Sequence, residues 1–190
     1  MRELYHNIDL DIEPLVDMTM PDRVRHNKLY NENINPKLIN LLRAVGICPA
    51  GSGIFYSPPG FTTEVLHTDC HISDPHSEWP SIAKLNFIVG EKDTLSMWGD
   101  VPLKYRILSS SKSTDINQEY QAYNIRWCEN IETYKLFGWH LFEAGIPHTV
   151  RNPTKNKKWT ISMVMHEIDT WRILTFGEAK SRLLNICLQK

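Results

Sequence analysis

Two short pieces, far apart in the 190-residue chain, hold the side chains able to do chemistry together: His67-Thr68-Asp69, and Ile146-Pro147-His148 with Lys158 ten residues further on. Along an extended strand successive side chains alternate between faces, so His67 and Asp69 share a face and can grip one ion. His148, from a distant strand, would complete the set. Two imidazoles and one carboxylate on one side of an ion, with the remaining positions open, suit non-haem Fe(II). A His-x-Asp pair by itself is weak evidence, because a hydrogen-bonded pair at a strand end accounts for it without any ion. The downstream piece shifts the balance. If Lys158 to Met165 is a strand, Lys158, Thr160, Ser162 and Val164 share one face, and Trp159, Ile161, Met163 and Met165 the other. The polar stripe then either faces solvent or lines a pocket for an anionic, hydrogen-bonding ligand.

Two rivals compete for these roles. Arg151 is a second cation, but in a strand from His148 to Asn152 it points away from the face of His148. Lys158 is therefore the better candidate, returned beside the metal-facing residues across the turn Asn152-Pro153-Thr154-Lys155-Asn156. A rival ligand set follows Asp69 in Cys70-His71-Ile72-Ser73-Asp74-Pro75-His76, where His71 would share a face with His67 and Asp69 if the strand continued. Zinc would accept that set. It ranks second because it leaves His148 and Lys158 unexplained, and because Pro75 and Pro80 end the strand early. His6, His26, His140 and His166 have no partner at a recognisable spacing and read as structural.

These residues need a scaffold of strands. From Gly53 to Met165 short runs rich in Thr, Val, Ile, Phe, Tyr and Trp are broken by turn residues, as in an antiparallel sandwich or barrel. The expected strands are Gly53 to Ser57, Thr62 to Asp69, Ala83 to Val89, Thr94 to Trp98, Leu103 to Leu108, Tyr120 to Trp127, Trp139 to Ala144, His148 to Asn152 and Lys158 to Met165. Nine suit a jelly roll of eight with one extra. Ser109 to Thr114 reads as a surface loop, with a mobile lid over the site as the rarer alternative. Asn35 to Gly46 has an N-cap, Pro36 at the first helical position, apolar residues at 38, 41, 42 and 45, and a terminal glycine, which predicts a short amphipathic helix. Thr175-Phe176-Gly177-Glu178 resembles a capping box opening a C-terminal helix at about 175–188. Residues 1–34, interrupted by Pro14 and Pro21, predict an edge strand and an irregular cover. The whole reads as one domain over 1–190, mainly β with flanking helices: an N-terminal cover over 1–52 and a core over about 53–165.

Composition narrows the classes of function. A net charge of −1 gives no general attraction to phosphate backbones or anionic lipid, so neither nucleic acid nor a membrane is expected as a partner. No apolar run approaches a membrane span, and Met1 to His6 has no signal core, which places the chain in the cytoplasm. Cys48, Cys70, Cys128 and Cys187 include no Cys-x-x-Cys pair and read as reduced thiols. The sequence leaves the oligomeric state open.

The motif resembles that of the 2-oxoglutarate and Fe(II)-dependent oxygenases: His-x-Asp, a distant His, and an Arg or Lys about ten residues beyond. It stands here as His67-Thr68-Asp69, His148 and Lys158, and the resemblance covers roughly Ile54 to Met165. Lys158-Trp159 looks most like the prolyl 4-hydroxylase branch. Ala83-Lys84-Leu85-Asn86-Phe87 and Pro147-His148-Thr149-Val150-Arg151-Asn152 look like small bacterial and phage members and the aspartyl/asparaginyl hydroxylase relatives. The resemblance implies a double-stranded β-helix (jelly roll, cupin-like), with His67, Asp69 and His148 as catalytic iron ligands and Lys158 on the distal carboxylate of 2-oxoglutarate. It further implies Ser162 in support of that carboxylate, Tyr56 against the cosubstrate, and Asn86 and Trp98 on pocket-lining strands. The implied reaction consumes Fe(II)-bound 2-oxoglutarate and O2, releases succinate and CO2, and hydroxylates a C–H bond of an amino-acid, peptidyl or other small substrate. Two alternatives remain at this level: a cupin-like metal-dependent dioxygenase or isomerase that does not use 2-oxoglutarate, and a non-enzymatic β-domain used for binding.

Overall fold

A computed structural model of the chain describes residues 3–21, 26–70, 72–90, 94–111 and 121–187. In chain order the elements are β1 (Tyr5–Asn7), β2 (His26–Lys28), α1 (Pro36–Ala44), β3 (Ile47–Ser57), β4 (Val65–Thr68), β5 (Ala83–Gly90), β6 (Thr94–Asp100), α2 (Leu103–Arg106), β7 (Ser110–Ser111), β8 (Gln121–Asn124), β9 (Glu129–Leu136), β10 (Trp139–Glu143), β11 (His148–Arg151), β12 (Lys158–Glu167) and α3 (Phe176–Cys187). The strands form two six-stranded antiparallel sheets, ordered β1-β10-β5-β12-β3-β2 and β7-β8-β4-β11-β6-β9. The fold is mainly β with flanking helices. No helix among the described residues is long and apolar enough to cross a membrane.

The first sheet has two differently occupied faces. Leu85, Leu141, Ile161, Met163 and Ile54 project outward and pack with Leu38 and Leu42 of α1 and with Phe176, Ala179 and Leu183 of α3. Both helices follow from local chemistry. The Asn35 side chain accepts from the Lys37 N–H to cap α1, and Glu178 accepts from the Thr175 N–H while Thr175 Oγ1 accepts from the Glu178 N–H at the start of α3. The opposite face meets the second sheet, where Trp98, Phe142, Ile82, Ala144 and Ile146 form a separate apolar cluster joined by Val150 and Val164. Trp98 ties the layers together: its ring lies 4.6 Å from that of Phe142, and its Nε1 donates to the Glu143 carbonyl.

Several expected boundaries move. Leu103 to Leu108 is not a strand: Pro102, with φ at −54°, precedes the one-turn helix α2. Arg106 on that turn donates to the carbonyls of Val101, Pro75 and Ser77. The strand expected over Tyr120 to Trp127 stops at Asn124, whose side chain accepts from the Arg126 N–H and starts a 3-10 turn over Ile125–Trp127. β9 was not expected from the sequence. It is an edge strand and mostly exposed, so its Glu129, Glu132 and Lys135 dilute the apolar alternation. The lid alternative for Ser109 to Thr114 falls partly outside the described residues; Ser110–Ser111 pairs with β8.

β11 and β12 are not a hairpin, because they belong to different sheets. The intervening chain turns a corner held by the fully buried Asn152. Its Nδ2 donates to the carbonyls of Ser57, Pro58 and Asn156, and its Oδ1 accepts from Thr154 Oγ1. Asn152→Ala strands several of these groups and is expected to lower stability by about 2–4 kcal/mol, read from urea unfolding.

Candidate metal centre and buried lysine

β11 sits between β4 and β6, and its register sets His148 directly opposite His67. The two imidazole centroids are 4.5 Å apart although 81 positions separate the residues in sequence. β4 ends at Thr68, one residue before Asp69, whose N–H donates to the Ala144 carbonyl. The carboxylate still turns toward the imidazoles: Oδ1 is 3.8 Å from His67 Nε2 and Oδ2 is 3.7 Å from His148 Nε2. One ligand atom from each of the three residues lies within 4.8 Å of the others, the one such group found among the described residues. Neighbouring ligands of one ion are about 3 Å apart, so the cluster is slightly more open than a filled coordination shell.

The protonation states suit ligation. His148 Nδ1 lies 2.8 Å from the Ile146 carbonyl, which can only accept. Nδ1 therefore carries the proton and Nε2 presents its lone pair. Burial pushes the His148 imidazolium down to about 3, and burial likewise lowers His67. Burial alone would raise Asp69, but the Lys84 ammonium, with the two imidazoles, holds it well below the usual carboxylate range. Lys84 Nζ is 2.7 Å from Asp69 Oδ2.

Lys84 comes from the facing sheet and was not singled out by sequence reasoning. The signal was available in the strand expected from Ala83 to Val89, where Lys84 alternates in phase with Asn86. β5 pairs with β12 so that Lys84 lies opposite Val164, Asn86 opposite Ser162, and Ile88 opposite Thr160. Lys84, Asn86, Thr160, Ser162 and Lys158 thus share the inner face, and all five are buried. The polar stripe of β12 is not turned to solvent.

Lys158 is the most unusual member. It is 0% exposed, and its Nζ has no hydrogen-bond partner among the described residues. Burial lowers its proton affinity to about 7. Asn86 Oδ1 and His140 Nε2 are likewise buried without a partner. His140, expected to be structural, is fully buried on β10 beside Asn86. Burial, together with the charge of Lys158, pushes it down to about 3. Six residues of strand, about 20 Å, separate the Cα of Val164 beside Lys84 from that of Lys158, with Ser162 and Thr160 between them.

The structure does not bring Tyr56 to this face. It pairs with Trp159, its ring 5.5 Å from the indole, while its neighbours Phe55 and Ser57 pair with the inward Thr160 and Lys158. The one-residue parity of the strand is the reason. Arg151 behaves as alternation requires and donates to the Thr63 carbonyl instead of entering the site. Trp98 is used in packing and in its bond to Glu143. In the rival ligand set His71 lies outside the described residues, and Asp74 caps the local turn by accepting from the His76 N–H.

No protein-family model and no curated protein matches the chain. The functional reading therefore rests on the geometry.

Proposed function

We propose that the chain is a 2-oxoglutarate- and Fe(II)-dependent dioxygenase, a hydroxylase built on a double-stranded β-helix of the jelly-roll, cupin-like kind. Its reaction converts a substrate C–H, 2-oxoglutarate and O2 into C–OH, succinate and CO2, with an amino-acid, peptidyl or other small molecule as substrate. The observation that carries this reading is Lys158, a fully buried amine with no hydrogen-bond partner among the described residues, on the face that also brings Lys84 to Asp69. An unpaired charge in the interior costs several kcal/mol, and an anion bound beside it offsets that cost.

The donor set fits the metal. His67, Asp69 and His148 would hold Fe(II), which when bound supplies open positions for the keto acid and dioxygen. The chain's own residues do the rest. The Ile146 carbonyl fixes the His148 tautomer, and Lys158 supplies the countercharge for the distal carboxylate in a setting where low dielectric strengthens the pairing. Ser162 and Asn86, paired across β12 and β5, lie between that charge and the Lys84 end of the sheet. Trp98, Phe142 and Ile146 form the apolar packing of the neighbouring wall.

The test is anaerobic addition of 2-oxoglutarate to Fe(II)-loaded protein, followed by oxygen. A weak visible charge-transfer band and succinate release are expected. One equivalent of bound metal with neither signal would favour a cupin-like enzyme that uses no 2-oxoglutarate, and no bound metal would favour a non-enzymatic binding domain.

A further inference from the structure

We infer that Lys84 is the resident cation of the metal-free site, and that a divalent ion must take Asp69 from it. This rests on the three-ligand metal centre proposed above but is independent of 2-oxoglutarate. Lys84 Nζ is 2.7 Å from Asp69 Oδ2, the oxygen that also faces His148 Nε2 at 3.7 Å. Oδ1 faces His67 Nε2 at 3.8 Å, so an ion held between the two imidazoles and the ammonium contest one carboxylate. The Lys84 side chain is almost wholly buried and reaches Asp69 from the facing sheet, so the pair forms only when both layers have assembled.

Physical necessity gives the pair its purpose. Asp69, 15% exposed, lies between the partly exposed His67 and the buried His148, and in the absence of metal a largely buried carboxylate needs a countercharge. Lys84 provides it, so the chain can close its two sheets first and load metal afterwards. The displaced ammonium has a place to go. Asn86 lies two residues along the same face of β5, and its buried Oδ1 has no partner among the described residues. We assign that oxygen as the acceptor for Lys84 in the loaded protein.

The test uses Co(II) alone, titrated against a chromophoric chelator, on wild type, Lys84→Met, Lys84→Arg and Asn86→Leu. Lys84→Met is expected to bind Co(II) at least tenfold more tightly than wild type. Its metal-free melting temperature should fall by several degrees, so that the gain on adding Co(II) widens. Lys84→Arg keeps the charge and should stay within about threefold of wild type, and Asn86→Leu should bind more weakly because the freed ammonium loses its acceptor. Equal or weaker Co(II) binding by Lys84→Met overturns the inference. If that variant folds only with Co(II) present, the dependence itself supports it; if it folds in neither condition, unchanged binding by Asn86→Leu overturns it and weaker binding upholds it. Wild type that binds no Co(II) would instead remove the metal centre itself, an outcome separable from the first.

Discussion

Lys158→Met is expected to raise the 2-oxoglutarate concentration needed for half-saturation at least 100-fold while leaving the affinity for Fe(II) or Co(II) within a few-fold of wild type. Methionine keeps the volume and removes the charge, so the loss reports the ion pair and not a cavity. Arg151→Ala, on the other face of β11, is the matched control and should alter neither quantity. Equal loss of metal and keto-acid binding in Lys158→Met would contradict the division of labour between the two walls. Ionisation gives a second readout. Folding lowers the Lys158 proton affinity from 10.5 to about 7 through burial. Below about 7 both folded and unfolded chains hold the proton, and the cost of the buried charge is felt in full. Between about 7 and 10.5 the unfolded chain holds more protons than the folded one, so Lys158 makes ligand-free stability rise with pH, by up to about 1.4 kcal/mol per unit. Denaturant melts from pH 7 to 10 should show this rise in wild type and lose it in Lys158→Met. Keto-acid affinity should move the opposite way, weakening above pH 7 because the anion pairs with the protonated amine.

Asp69→Asn should abolish metal binding, by at least 100-fold in affinity, and with it all succinate formation. The substitution keeps the shape of the side chain and removes the single negative ligand, leaving two neutral imidazoles to hold a divalent ion. It also leaves Lys84 facing a neutral amide, so the metal-free protein should lose about 3–5 kcal/mol of stability, as expected when one partner of a buried pair is removed. His148→Ala should lose metal to a similar degree with no such effect on Lys84. Calorimetric metal titration with parallel urea melts separates the two variants, and retention of one tightly held equivalent in either would exclude the proposed ligand set.

The meeting of His67, Asp69 and His148 was legible because strand alternation and chain register act on them directly. His67 and His148 meet by cross-strand pairing, and the odd-even pattern of Lys158 to Met165 by itself divides an apolar face from a polar stripe. The caps of α1 and α3 were equally local. What the sequence left open was which stripe turns inward, since a polar face reads the same whether it meets water or another sheet. Lys84 was missed for this reason: its role depends on a residue in the opposite layer. Tyr56 was misplaced by one step of parity. α2 was read as a strand because the apolar spacing of Leu103 to Leu108 outweighed the helical start that Pro102 gives.

The division of the site between two layers has a mechanical meaning. His67, Asp69 and His148 hang from one wall, while Lys84, Asn86 and Lys158 stand on the other. A guest that touches both acts as a rivet through the sandwich, resisting the breathing of the walls against each other. Occupancy would then be felt along the whole seam, in amide protons far from any atom of the guest.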